Sequence, residues 1–254
     1  MGIIKTKGIV LLESNMGDFD KMVSILTPDL GKIGCAAKGA RKPKSPLLAG
    51  TQFLSFSDLV IFSGANSYNI NSCETIEVFY NIRTDLEKLT YASFISRLVY
   101  DVTDENQYTY KILQLLLNTL YLISETDQDK DFILSVFELR LMVLLGFAPT
   151  LGKCAICGEK NDIGYFSMNH NGFVCNACGR ADKSAIKISI DTFNALKYIA
   201  TAPAKKLYSF SVTMSISAKL KSAVAVEAFA PEPAPLDKVA GILKAEVEFF
   251  FRVA

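Results

Sequence analysis

Apolar positions in the first part of the chain recur with a period of two, in short runs. Residues 7–12, 21–26, 32–38, 52–62 and 67–78 are rich in β-branched and aromatic side chains. They are divided by turn material at Asn15-Met16-Gly17-Asp18, Pro28-Asp29-Leu30-Gly31 and Gly64-Ala65-Asn66. Five strands in about eighty residues predict a small closed barrel. In the fourth run Leu54, Phe56, Val60 and Phe62 fall on one face and Phe53, Leu59 and Ile61 on the other. That strand is therefore expected to pack against the barrel interior and also against another part of the protein.

The period then lengthens. Thr84-Asp85-Leu86-Glu87 reads as a capping box, in which the Thr84 hydroxyl and the Glu87 carboxylate satisfy the free amides of a helix start. Leu86, Leu89, Ile95, Leu98 and Val99 follow at helical spacing. Two more helices are predicted over residues 108–124 and 130–145. The second is nearly continuous in leucine and should be largely buried, with Gly146 as its C-cap and Pro149 just beyond. Residues 127–131 form a solvated acidic turn. Ser189-Ile190-Asp191 opens a further helix to about residue 200, and residues 236–251 read as a final amphipathic one after a proline-rich stretch at 229–236.

Half of the 254 residues are hydrophobic, so the chain is globular rather than disordered. The first six residues hold no apolar signal region, and no run of about eighteen apolar residues occurs, which predicts a cytoplasmic protein. Cys35 and Cys73 sit in strand-like stretches and are expected to be buried free thiols of a reducing compartment. The net charge of +1 excludes little, but its distribution is uneven. Residues 32–44 hold five basic side chains and no acidic one, whereas residues 83–150 hold six basic and ten acidic, a net of −4. One face is expected to suit a polyanion.

Four cysteines carry the strongest chemical signal. Cys154-Ala155-Ile156-Cys157 and Cys175-Asn176-Ala177-Cys178 are two Cys-x-x-Cys knuckles separated by seventeen residues, the spacing of a tetrahedral zinc site. Redox dithiols are the alternative, but those usually occur as a single pair. Here each pair is followed by a glycine, Gly158 and Gly179, suited to the tight backbone of a knuckle. Four thiolates leave no open coordination position, so the zinc is expected to be structural. His170 lies between the knuckles and is read as a surface residue, while Lys153 and Arg180 flank the site and screen its negative charge. Helical material on both sides marks the zinc segment as an insertion into a helical domain.

Residues 37–45, Ala-Lys-Gly-Ala-Arg-Lys-Pro-Lys-Ser, place the cations Lys38, Arg41, Lys42 and Lys44 on one loop leaving a strand. On a small five-stranded barrel such a loop points to single-stranded nucleic acid, with Tyr68, Phe19 and Phe56 as candidate stacking residues. Lys5-Thr6-Lys7-Gly8-Ile9-Val10-Leu11, Gly17-Asp18-Phe19-Asp20-Lys21, residues 27–32 and this loop together resemble the RecO family of bacterial recombination mediators. The likeness continues through Arg83-Thr84-Asp85-Leu86-Glu87-Lys88-Leu89-Thr90-Tyr91-Ala92, Phe137-Glu138-Leu139-Arg140-Leu141 and Leu145-Gly146-Phe147-Ala148-Pro149 into the knuckles, over roughly residues 3–210.

The resemblance implies an α+β multidomain protein: an OB-fold DNA-binding domain over residues 1–80 and a helical domain over 83–150 and 185–254. A four-cysteine zinc finger at 151–184 interrupts the latter. It implies no enzymatic turnover. Members bind single- and double-stranded DNA and anneal complementary strands. They contact the C-terminal tail of single-stranded DNA-binding protein and work with RecR, and in some settings RecF, to load RecA. Carried over, Lys38, Arg41, Lys42 and Lys44 contact DNA, and Cys154, Cys157, Cys175 and Cys178 bind the metal. Residues 218–254 depart from the family pattern.

Two other classes compete. A nucleic-acid enzyme with a barrel and a zinc finger, such as a DNA ligase, needs an adenylation or phosphate-loop motif. The sequence has neither Lys-x-Asp-Gly nor Gly-x-x-x-x-Gly-Lys, and His170 is its one histidine. Asp18 and Asp20 could hold magnesium but read more simply as a turn. A pure protein adaptor would use the leucine-rich helices and show no affinity for DNA.

Overall fold

A computed structural model of the chain describes residues 2–65, 67–167 and 169–210. The final helix and proline-rich stretch expected from the sequence lie outside these residues. Internal contacts divide the chain into two compact units, Met1–Lys130 and Asp131–Ala254.

The first unit is built on five strands: β1 (Gly2–Met16), β2 (Asp20–Thr27), β3 (Gly31–Ala37), β4 (Phe56–Ser63) and β5 (Tyr68–Glu77). They close in the order β1-β2-β3-β5-β4, with β4 returning to β1. All pairings are antiparallel except β3 with β5, where Cys35 faces Tyr68 and Ala36 faces Asn69. The ring closes because β1 serves two partners. Its first half, Gly2 to Ile9, pairs with β4, and its second half, from Ile9 to Met16, pairs with β2, with an irregularity between Val10 and Leu12. Gly8 lies at the handover, where a Cβ would stand 2.5 Å from the Ile25 side chain, so the inward bend of the strand requires glycine. Alternate residues Val23, Ile25, Ile33, Cys35, Leu59, Ile61 and Ile70 fill the interior with Val10, as period-two patterning demands. Ala40 and Leu47 close the core from the β3–β4 connection.

The fourth strand is shorter than its apolar run. Residues 46–55 are wound into turns, with Leu54 at φ 63°; the Thr51 hydroxyl donates to the Leu47 carbonyl at 2.7 Å and the Ser55 hydroxyl to Ala49 at 2.9 Å. The expectation that this strand is buried on both faces also fails. Leu59 and Ile61 are in the core, but Val60 is half-buried and Phe62 is 39% exposed.

A short helix, α1 (Tyr80–Arg83), precedes α2 (Leu86–Val102) and α3 (Tyr110–Glu125). The cap of α2 is Asp85, whose carboxylate accepts from the Lys88 amide at 3.0 Å. Thr84 is not the cap, because its backbone is still helical as the end of α1, and its hydroxyl turns back to the Asn81 carbonyl. Asp85 has the extended backbone that an N-cap needs. One face of α3 is buried, while Tyr121 is exposed.

The helices are tied to the barrel by hydrogen bonds. The Ser96 hydroxyl donates to the Leu11 carbonyl at 3.1 Å, and the amides of Lys32, Asn106 and Thr109 donate to the carbonyls of Asp104, Leu30 and Pro28. Arg83, half-buried, donates to Gln52, to the Phe53 carbonyl at 2.7 Å and to Ser55, fastening the wound segment.

The second unit contains α4 (Lys130–Leu144), a three-stranded antiparallel sheet of β6 (Ile163–Ser167), β7 (Gly172–Cys175) and β8 (Ala185–Lys187), and two helices, α5 (Asn176–Ala181) and α6 (Ile190–Thr201). Gly146, at φ 97°, ends α4 as expected: its amide bonds Val143 and that of Phe147 bonds Met142, the paired bonds of a Schellman motif. Ser189 caps α6 by accepting from Thr192. The Arg140 guanidinium donates to the Ile199 and Ala200 carbonyls at 3.1 and 2.5 Å, satisfying the open end of α6. Among the described residues no helix is long and apolar enough to cross a membrane.

Candidate nucleic-acid interface and metal centre

The basic loop leaves β3 directly and is pinned rather than free. Gly39, at φ 66°, turns the chain, and its amide donates to the Asp20 carboxylate at 2.7 Å. The Arg41 amide donates to the Phe19 carbonyl at 2.9 Å, and its guanidinium to the Gly17 carbonyl at 3.2 Å. Internal turns from Lys42 to Gly39 and from Ser45 to Lys42 hold the remainder. The loop backbone is thus fastened to the β1–β2 turn while Lys38, Arg41, Lys42 and Lys44 all stay exposed. Asp20 is committed to this fastening, which is a turn role.

The three aromatics singled out from sequence fall in different settings. Phe19 is 52% exposed at the β1–β2 turn, with the Lys42 ammonium 5.7 Å from its ring centroid. Tyr68 packs against the barrel core and Phe56 is half-buried. An aromatic absent from that set, Phe62, stands on the outer surface beyond the loop. It lines a groove of about 570 Å³ together with Lys38, Ser45, Leu47, Asn69 and Asn71. Its position in an alternating apolar run gave it the signature of a core residue, and only the barrel's curvature shows which face is outside.

The four cysteines converge. Their sulfur atoms all lie within 4.8 Å of one another, and Cys157 Sγ is 3.8 Å from Cys175 Sγ. Four sulfurs at about 2.3 Å from one ion form a tetrahedron with edges of about 3.8 Å, so the cluster has the dimensions of a thiolate metal site. A disulfide at about 2.05 Å does not fit that separation. The first knuckle is closed by the Gly158 amide bonding the Cys154 carbonyl at 2.9 Å, with Gly158 at φ 79°. The second is helical: Cys175 is the N-cap of α5 and Cys178 lies within it. Gly179 therefore serves a different purpose from Gly158. It is buried in the helix beneath the Tyr165 ring, which a Cβ would meet at 2.4 Å.

Burial opposes ionisation of Cys154, yet the amides of Cys157, Cys175 and Ile156 outweigh it and hold the thiol down to about 6. Cys178 is pushed up to about 12 by the neighbouring Cys175 and Cys157. The sulfurs thus oppose one another's ionisation, and a divalent cation is what allows all four to be thiolates. His170 is exposed at the β6–β7 turn and is not part of the cluster; Lys153 and Arg180 are exposed beside it in sequence. Cys35 and Cys73 are free thiols, the first buried and the second half-buried.

Residues 1–79 match the family described as Recombination protein O N terminal, and residues 83–225 match Recombination protein O C terminal. The protein of Acetivibrio thermocellus called DNA repair protein RecO is 46% identical over 217 residues, covering 85% of this chain and 86% of that one. Proteins of the same name from Alkaliphilus metalliredigens and Caldanaerobacter subterraneus subsp. tengcongensis are 38% and 34% identical, over 83% and 84% of this chain and 86% of each of theirs. With both halves matched in order along a barrel, helices and a four-cysteine cluster, the chain belongs to the RecO family of DNA repair proteins.

Proposed function

We propose that this protein is a non-catalytic mediator of recombinational repair in the cytoplasm. In this reading it binds single- and double-stranded DNA through Lys38, Arg41, Lys42 and Lys44, and anneals complementary strands. With RecR, and with RecF where present, it assists RecA loading on strands coated by single-stranded DNA-binding protein, whose C-terminal tail it contacts. The observation that carries the reading is the pinned loop: four exposed cations on a backbone held to the β1–β2 turn by the Gly39–Asp20 and Arg41–Phe19 bonds. Cations carried on a fixed backbone meet phosphates at a smaller entropic cost than cations on a mobile one.

Residues 1–80 would then be the recognition domain, and 151–184 a zinc-bearing insertion between the helical stretches 83–150 and 185–254. Zinc held by Cys154, Cys157, Cys175 and Cys178 supplies folding stability to a segment with a small core and takes no part in chemistry.

Two measurements test this. On DNA coated with the cognate single-stranded DNA-binding protein, the protein should accelerate annealing without changing strand length; strand cleavage or joining with magnesium would mark an enzyme instead. If each loop cation neutralises one phosphate, log K should fall with log salt with a slope of about −2.8, from roughly −0.7 per contact on a single strand. Replacing all four cations by alanine should flatten that slope, and an unchanged slope and affinity would remove the loop from the interface.

A further inference from the structure

We propose that the groove on the β4–β5 side of the basic loop is a nucleobase subsite, where one base of a bound single strand stacks on Phe62 while the neighbouring phosphate meets Lys38. This rests on the reading of the loop as the DNA grip and adds to it a contact that depends on the base. Phe62 lies in register between Ile3 of β1 and Asn69 of β5, on the outer face of the barrel, and is 39% exposed. Ile70 turns into the core, while Asn69, half-buried, and Asn71, exposed at the residue where the β4–β5 register slips, both line the outer groove. Both amides, the Ser45 side of the loop, Lys38 and the Phe62 ring line one groove of about 570 Å³.

That combination fits a nucleobase better than an apolar or acidic ligand. An aromatic face supports stacking whatever the base. Asparagine amides both donate and accept, as the edges of bases do. A cation stands at the same groove for the phosphate, and none of the lining residues is acidic. Phe19 occupies the opposite flank of the loop, 52% exposed under Lys42, so a strand crossing the cations has an exposed aromatic on each side.

The test compares an oligothymidylate with an abasic strand of equal length, using the full chain. Phe62→Ala should weaken oligothymidylate binding by about tenfold or more. It should leave abasic-strand affinity and the salt slope as in the wild type. Phe62→Leu keeps the apolar volume without a ring and should show the same base-dependent loss, which guards against a folding defect in the alanine variant. Equal loss on both strands, or no loss on either, overturns the subsite. A four-alanine loop variant with undiminished affinity for both strands overturns the loop reading and the subsite with it. Loop variants that weaken both strands, combined with a silent Phe62→Leu, overturn the subsite alone.

Discussion

Replacing Asp20 by alanine sets two physical effects against each other. The Asp20 carboxylate accepts the Gly39 amide at 2.7 Å and fixes the point where the basic loop leaves β3. A hydrogen bond to a charged group contributes about 1.5–3 kcal/mol, and the half-buried setting of Asp20 places this one near 1.5. Removing the carboxylate also removes a negative charge beside four cations, which by itself favours phosphate. At about 8 Å in water a unit charge and one phosphate charge interact by about 0.5 kcal/mol, and at about 0.15 M salt, where about 8 Å is one Debye length, by about 0.2. The positional effect is the larger. Asp20→Ala should therefore weaken single-stranded DNA binding by about 1 kcal/mol, roughly fivefold, although the protein has become more basic. Asp20→Asn keeps an acceptor oxygen for Gly39 and loses only the charge, so it should bind as well as the wild type or slightly better. Fluorescence anisotropy with a labelled strand, at several salt concentrations, measures both. If Asp20→Ala binds as tightly as the wild type while its Gly39 amide exchanges fast, loop order does not contribute and the argument fails.

Burial, and secondarily the Glu105 carboxylate, pushes the Cys35 thiol up to about 12. The same thiol titrates at about 8.5 when unfolded, so its contribution to stability is complete below that pH and is lost as pH rises toward 12. Denaturation across this window should show the decline in the wild type and a flatter profile in Cys35→Ala. Arg140→Met leaves the last carbonyls of α6 without their guanidinium donor and should cost about 1.5–3 kcal/mol in chemical denaturation; a loss under about 0.5 would show that water replaces it fully. Chelation should abolish amide-exchange protection in β6, β7 and β8 first, with DNA affinity largely kept, and loss of all annealing in a folded four-cysteine variant would contradict a purely structural metal.

Where side-chain alternation or spacing is local, the sequence was readable to within a few residues. Val23 and Ile25, then Ile33, Cys35 and Ala37, mark β2 and β3 because each inward position is apolar. The knuckles were legible because ligand convergence is set by the two residues between cysteines. What stayed hidden depends on backbone state or on distant partners. The positive φ of Leu54, which delays β4, leaves no mark in a leucine. Thr84 and Asp85 are both good caps, and the choice between them was made by the preceding turn of α1. Gly179 looked like Gly158, yet its reason is the Tyr165 ring fourteen residues earlier in sequence. Phe62 has the pattern of a core residue and the exposure of a surface one.

The β2–β3 turn sits at the end of the barrel away from the basic loop, and it is occupied by the α2–α3 connection. Gly31 bridges to Glu105, Asn106 bonds Leu30, Thr109 bonds Pro28, and a Cβ on Gly31 would stand 2.1 Å from the Asp104 carbonyl. Cutting the chain at residue 79, where the match to the N-terminal family ends, would strip these partners and the Arg83 guanidinium from the barrel together. The boundary between the two family matches is thus not a boundary for cooperative unfolding. The smallest piece expected to melt in a single transition runs through α3, and a barrel-only fragment should be a poor substitute for the intact protein in binding work.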